Sequence, residues 1–595
     1  MITASQGVGV RPAIAVRMAV TDRVAVGALS VLVLVLVALT WQTWGNIGVD
    51  TGYDFVAGSR VADGEIPYRD FTYFYGPLAP AVAGLSALLG GDGIATFVGL
   101  GLAIAIAIVF ATYAVARLAA GPAASAAAAG ITAGVAFAPT NFSFVLPHTY
   151  SATLGILALL VLVLAIGRFA RSGRTSWLAG AGVAAAAVAL ARPEFVPAVL
   201  LGAGVWMVLR MLSGTGRRRE LIVLLAPAVG IPLVVYGIAM ALTSPGELLL
   251  DNLYPVDQIE AGAGAVAKIT APLTAASFAE LAGRMLVYAG LAGALVLAGI
   301  LLERSAQWRR AVLAAACGAG ALMLLVLVVR PELIRHGFKY VFGWMALGAA
   351  VAVGVLLWRY RRRGAEGWTP VAQVKLALAL VLVALAAPSY AGFFAHATVP
   401  QSASYAIPVA AVLLAWLHTC EIARSADTRR IAIAWLALLA LGSATLAVHD
   451  ARDQGEQVSG PGGSIAAERT GDAAVYQTAV DEILRRTGPG DPILVAPQLT
   501  SLYALTGRDN PLPQISLLPG SLPDPASELE AIRRLDAAGV ALVLTDRREL
   551  SAYGEGAFGT AYNNTLGDWL SRDFTRVATI DNDGAPPALD IWQRT

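Results

Sequence analysis

Between Arg23 and about Val448 the chain repeats one pattern: an apolar run, a short polar cluster, then another apolar run. A helix of about 20 apolar residues crosses the hydrocarbon layer of a bilayer. Within lipid, only helices and closed barrels satisfy their own backbone N–H and C=O groups. The pattern therefore predicts a mainly α fold, a polytopic transmembrane helical bundle. Candidate spans are 24–44, 94–116, 122–139, 149–167, 176–191, 195–212, 221–243, 283–302, 311–329, 338–358, 371–390, 404–420 and 430–448, about 13 in all. A further apolar piece, 77–90, is shorter and carries Pro77 and Pro80. From His449 to Thr595 charged residues, Pro and Gly spread evenly, as in a water-soluble domain. Only 14% of the chain is charged, against the roughly 25% usual for soluble proteins. That deficit falls on the first part.

Positive charge orients the spans, because Arg and Lys concentrate in cytoplasmic loops. Clusters at Arg168/Arg171/Arg174, Arg210/Arg217–Arg219, Arg304/Arg309/Arg310, Arg359/Arg361–Arg363 and Arg424/Arg429/Arg430 are separated by pairs of spans, so all fall on one side. The tail 1–22, with Arg11 and Arg17, is expected on that side too. The apolar run after it lacks a small-residue cleavage site and reads as an uncleaved first span. The loops 45–76, 140–150, 192–195, 244–282, 330–337 and 391–403 then face outward, with the C-terminal domain. Arg117 belongs inside, so only one net crossing fits between residues 76 and 117. The segment 77–90 is accordingly expected to be re-entrant or interfacial.

Net charge is +2, which gives no case for a nucleic-acid partner. Cys317 and Cys420 stand far apart in or beside apolar runs and form no disulfide framework or metal cluster. No resident metal or other cofactor is expected; the residues give no support for a divalent ion.

The loop after the first span reads NIGVDTGYDFVAGSRVADGEIPYRDFTYFYGPLAP. It packs Asp50, Asp54, Asp63, Glu65 and Asp70 among Tyr53, Tyr68, Tyr73 and Tyr75. A carboxylate shielded from water has a raised pKa and can serve as a general base, and aromatic faces stack on sugar rings. The plain alternative is a solvated loop with an interfacial aromatic belt.

An Asp after the first span, then G-E-I-P-Y-R-D-F, then Y-G-P-L-A-P leading into an apolar segment, resembles the GT-C glycosyltransferases. Within them it is most similar to the branch of the protein O-mannosyltransferases and the lipid A aminoarabinose transferase. The resemblance implies a bundle of eleven to thirteen or so spans, often with a soluble outer domain, and a catalytic Asp in the first outward loop. It makes Asp50 the base that deprotonates an acceptor hydroxyl, with Asp54 the second choice. At i and i+4 the two could share a helical face. Asp70, in Tyr68-Arg69-Asp70-Phe71, is a candidate acceptor or structural ligand. Where many members carry a second acidic residue, this chain has Pro147-His148-Thr149-Tyr150, which leaves His148 as a polar contact in its place. The implied donor is a polyprenyl-phosphate-linked sugar. The acceptor is a glycan, lipid or protein, and membrane lipid is the surrounding partner.

Positive charge on the outer side needs its own explanation, because charge at membrane depth is costly and usually functional. Arg330, Arg335, His336 and Lys339 cluster in RPELIRHGFKY, and Arg192 sits in Ala191-Arg192-Pro193-Glu194. A departing phosphate would match them through charge-assisted hydrogen bonds. The alternatives are pairing with Glu194 or Glu332, and snorkelling to headgroups. A functional rival also stands: a transporter or flippase of a polyisoprenoid-linked sugar or polysaccharide. It requires mid-span charges and internal repeats, and few such charges and no obvious repeat occur here.

Four parts follow: a cytoplasmic tail 1–22, the membrane domain 23–448, a linker 449–464 built around VSGPGGS, and an extracytoplasmic domain 465–595. In the last, helices at 473–487, 526–538 and 562–572 alternate with strands at 493–496, 540–544, 577–580 and 588–592. That alternation predicts a small α/β layer fold. The expected location is the cytoplasmic membrane of a bacterium, multi-pass, with the tail inside and this domain outside.

Overall fold

A computed structural model describes residues 11–48, 51–139, 143–253, 255, 306–330, 332–394, 401–417, 425–454, 456–467, 471–550, 556–582 and 585–595. The first part is helical. In chain order it comprises α1 (Arg11–Leu39), α2 (Tyr53–Ala62), α3 (Leu78–Gly90), α4 (Ile94–Ala116), α5 (Pro122–Ala136), α6 (Tyr150–Ser172) and α7 (Thr175–Ala191). The composite helix α8 (Pro193–Leu212) and α9 (Arg218–Leu242) follow. Next come a π-turn at Glu247–Leu253, then α10 (Ala306–Val329), α11 (Glu332–Arg363), α12 (Pro370–Phe394), α13 (Gln401–Trp416) and α14 (Ala426–Asp453). Each expected span falls on a helix except 283–302, which lies outside the described residues. Among the described residues six helices are long and apolar enough to cross a membrane, and shorter apolar helices stand beside them.

The packing is that of a bundle in lipid. The most apolar stretch of α6 is 72% buried, whereas that of α9 is 6% buried. So α6 runs through the middle, and α9 turns Ile222, Leu225, Leu233, Val234 and Ile238 outward. A surface that apolar suits hydrocarbon and not water. Between helices, where lipid removes the hydrophobic drive, small residues permit close approach. The Ala/Gly-rich α5 packs against α14, and the Ser443 hydroxyl donates to the Ile131 carbonyl (3.0 Å).

Polar contacts mark the two ends of the bundle. At one end Arg117 pairs with Asp22 (2.6 Å), Arg171 donates to the Leu118 carbonyl, and Arg210 pairs with Glu220 (3.2 Å). These Arg residues were all expected on one side, and here they share one end. At the opposite end lie the first loop and the C-terminal domain. The short α3 has 13 residues, about 20 Å of helix, and pairs with α2 beside that loop.

The C-terminal domain comprises β1 (Gln457–Gly460), β2 (Gly463–Ala466), α15 (Asp472–Arg486), β3 (Ile493–Ala496), α16 (Ser501–Thr506), α17 (Pro525–Ala537), β4 (Leu542–Asp546), α18 (Asn564–Asp573), β5 (Phe574–Asn582) and β6 (Ala585–Arg594). Its main sheet has the order β3-β4-β6-β5, with β3 and β4 parallel and the other pairs antiparallel. The expected helices and strands are present. The expected linker is not a linker: 457–466 is the hairpin β1–β2, with Val458 and Ile465 buried. Pro461-Gly462 makes its tight turn, and Gly463 takes φ +130°, a conformation open to glycine. The hairpin docks on the membrane part, where the Ile94 N–H donates to the Gly462 carbonyl (2.8 Å).

Candidate functional site

The site forms where the first loop, the start of α6, the end of α7 and the π-turn meet beneath the C-terminal domain. Asp54 sits in the first turn of α2, where a carboxylate favours the helix dipole. It is 3% exposed. The Tyr73 hydroxyl donates to its Oδ1 (2.7 Å) and the Tyr150 N–H donates to its Oδ2. Burial raises its pKa above the ordinary 3.8; hydrogen bonds from Tyr73, Tyr150 and Thr149 and the charge of nearby His148 pull the other way. Burial likewise pushes the Tyr73 hydroxyl well up, reinforced by the Asp54 carboxylate. Helix α2 begins at Tyr53 after a turn at Thr51-Gly52. The shared face expected for Asp50 and Asp54 falls on a residue that is not described. Asp50 itself lies outside the described residues.

The loop returns from α2 through a turn that sets the other candidates. Arg69 and Asp70 pair with each other through two hydrogen bonds (2.8 and 2.7 Å), and Asp70 also accepts from the Ile66 N–H (2.8 Å). Its hydrogen bonds to Arg69, then to Ile66, hold the Asp70 carboxyl below the usual range. Asp70 is thus a structural ligand of its own turn. Tyr68 has φ +73° and is buried, donating from its hydroxyl to the Tyr75 carbonyl (2.6 Å).

Side chains from Thr72 to Tyr75 then alternate. Tyr73 and Tyr75 face the bundle, while Thr72 and Phe74 line a cavity of about 500 Å³ with Arg69, Asp251, Asn252 and Gln514. The Asn252 side chain crosses the divide, accepting from the Tyr73 N–H (2.8 Å) and donating to the Glu247 carbonyl (2.9 Å). The C-terminal domain closes the cavity's roof, with the Thr72 N–H donating to the Pro513 carbonyl (3.0 Å).

On the inner face His148 Nε2 and the Tyr75 hydroxyl lie 3.0 Å apart. Arg192, at the end of α7, lays its guanidinium over Tyr75 (4.9 Å to the ring centre) and Phe195 (5.5 Å). It also makes the ion pair with Glu194 weighed from the sequence, at a long 3.9 Å. Arg192 Nη1 is buried with no hydrogen-bond partner among the described residues. A buried N–H without an acceptor costs about 1–3 kcal/mol. The end of α7 and the loop are locked by close backbone contact. A Cβ on Gly76 would lie 2.1 Å from the Leu190 carbonyl oxygen.

The remaining candidates lie just after α10 and on α11. Arg330 is exposed at the end of α10. Arg335, His336 and Lys339 lie on α11, which begins at Glu332, earlier than the span expected from 338. Their side chains lie outside the described residues. Among the described residues no group of three His, Cys, Asp or Glu side chains gathers to hold a metal ion.

Sequence reasoning did not single out the Tyr150 N–H or Thr72, and gave Asn252, in an outward stretch that could line the site, no role. Backbone donors leave no mark in a sequence. Asn252 had one signal, the polar pair Asp251-Asn252 just beyond an apolar run.

No family model and no curated protein matches the chain. Among solved structures, the chain is similar to the oligosaccharyltransferase of Archaeoglobus fulgidus in the apo form, at 14% identity and TM-score 0.44, covering 88% of this chain and 69% of that one. The complex of AglB from Archaeoglobus fulgidus with an inhibitory peptide and a dolichol-phosphate gives 13% identity and TM-score 0.44, covering 96% and 74%. ArnT from Cupriavidus metallidurans bound to undecaprenyl phosphate gives 11% identity and TM-score 0.42, covering 95% and 97%.

Proposed function

We propose that this chain is a membrane glycosyltransferase that moves a sugar from a polyprenyl-phosphate donor to an acceptor hydroxyl at the outer face of a bacterial cytoplasmic membrane. About thirteen spans carry the chain, with the N-terminal tail cytoplasmic and the C-terminal domain outside. The observation that carries the reading is Arg192. Its cation lies over two aromatic rings at the outer end of a membrane helix, with a buried N–H that no group among the described residues accepts. A lipid-linked phosphate is the anion that reaches such a place from the bilayer.

Asp50 serves as the base. It takes the proton of the acceptor hydroxyl as that oxygen attacks the anomeric carbon from the side opposite the phosphate. The new carbon–oxygen bond forms as the bond to phosphate breaks, and the configuration inverts. The electron pair leaves on the phosphate, where Arg192 stabilises it by charge-assisted hydrogen bonds. Arg330, Arg335, His336 and Lys339 are assigned to the same anion. Asp54, buried with both oxygens engaged, is better suited to positioning Tyr73 and the start of α6 than to meeting substrate. The acceptor, a glycan, lipid or protein, approaches through the 500 Å³ cavity.

The test is to reconstitute the full chain in lipid nanodiscs with a panel of polyprenyl-phosphate sugars and candidate acceptors, and to measure polyprenyl phosphate released. At least one donor should turn over. Arg192→Ala should weaken donor affinity about 10–100-fold, the worth of a hydrogen bond to a charged group. No release from any donor, or an unchanged affinity in the variant, contradicts the reading.

A further inference from the structure

We infer that Arg548, on the C-terminal domain, is a positioning residue for the first outward loop, so that the outer domain sets the geometry of the transfer site. The inference rests on reading that loop as the one that bears the base. In α/β sheets the edge beyond the carboxyl ends of parallel strands is where ligands are seated. Here β3 and β4 are the parallel pair, and the turns after them carry Gln498 and Arg548. That edge seats a segment of the chain's own membrane part.

The contacts are specific. Arg548 Nη2 donates to the Gly48 carbonyl (3.1 Å) and to Gln498 Oε1 (2.6 Å). Its backbone N–H donates to Asp546 Oδ1 (2.9 Å), and its Nε lies 3.6 Å from Asp546 Oδ2. The Asp546 side chain, at the end of β4, is 1% exposed. A buried carboxylate thus braces a guanidinium whose far end holds the loop. Four residues on, Gly52 presses on the same edge. A Cβ there would lie 2.0 Å from the Ser501 backbone nitrogen, so only glycine fits. The loop is also closed on itself: the Asn46 N–H donates to Thr51 Oγ1 (2.8 Å) and the Gly48 N–H to Asn46 Oδ1 (2.9 Å). Gly48 and Gly52 are therefore both pinned by the outer domain, and Asp50 stands midway between them in the sequence. Thr500 and Ser501, buried at this edge, keep hydroxyls with no hydrogen-bond partner among the described residues.

The test uses the full chain in nanodiscs and two readouts. Arg548→Ala should lower kcat about 10–100-fold, the cost of a misplaced reacting group, while the donor KM moves by less than about threefold. Hydrogen–deuterium exchange across 44–54 should quicken in the same protein. Arg548→Lys, which keeps one donor toward Gly48, should recover part of kcat. Arg533→Ala, on an exposed face of the same domain, should match wild type. Should Arg548→Ala fail to fold, Gln498→Ala should show the same direction more weakly. Unchanged kcat in a folded variant overturns the inference, as does a KM that rises while kcat holds. If the wild type transfers no sugar from any donor, the functional reading fails, and exchange alone decides the latch: faster exchange upholds it and unchanged exchange overturns it.

Discussion

Asp54 gives the site its pH signature. Its carboxyl is raised above the ordinary value chiefly by burial, so the folded chain binds that proton more tightly than the unfolded chain does. Its contribution to stability is greatest below the ordinary carboxylate pKa and is lost as pH rises through the raised one. Asp54→Asn removes this dependence. Its amide oxygen can still accept from the Tyr150 N–H while its N–H₂ faces the Tyr73 hydroxyl, which can accept. The wild-type Tm should therefore fall relative to that of the variant between about pH 4 and about pH 8. A gap that stays constant contradicts the assignment. Little of this was legible in the sequence. Asp54 stood out as one acidic residue among aromatics, but its depth depends on Tyr73, 19 residues away, and on the Tyr150 N–H, 96 residues away. No local pattern encodes either.

At the scale of elements, the seam between the first loop and α7 brings Tyr75 beneath Arg192. Gly76→Ala would drive a Cβ into the Leu190 carbonyl, and overpacking of this kind costs about 1–3 kcal/mol. The variant should unfold at lower temperature and lose donor affinity together, as seen by thermal denaturation and donor titration. A stable variant with full affinity would show that the seam does not position Arg192. Helices were the most legible elements, because apolar runs bounded by Arg clusters leave few alternatives. The hairpin β1–β2 was not legible, because Val-Ser-Gly-Pro-Gly-Gly-Ser serves equally for a flexible linker and for a tight turn. Burial of Val458 and Ile465 against the domain decides between them. The short α3 was foreseen, since its length and prolines set it apart from the full spans.

At the scale of the whole molecule, the two ends of the bundle carry different chemistry. One end gathers Arg117, Arg171 and Arg210; the other gathers Asp54, Tyr73, Tyr75 and the outer domain. The proposed orientation puts the first inside and the second outside. In a background without Cys317 and Cys420, Ser571→Cys should react with a membrane-impermeant maleimide on intact cells, and Ser172→Cys only after permeabilisation. The reverse pattern would invert the topology and remove the site from the outer leaflet. The division into membrane and soluble parts was plain from composition. The contact of Gly52 with Ser501 was not, since 449 residues separate them and neither belongs to a motif.

The central claim is that a carboxylate in the first outward loop drives sugar transfer from lipid-linked phosphate. The direct measurement is single-turnover transfer by purified Asp50→Asn protein, with donor binding measured on the same sample. The variant should bind donor as the wild type does and transfer at least about 1,000-fold more slowly, the range for loss of a general base together with its alignment. Transfer at the wild-type rate by a folded, donor-bound Asp50→Asn protein would contradict it.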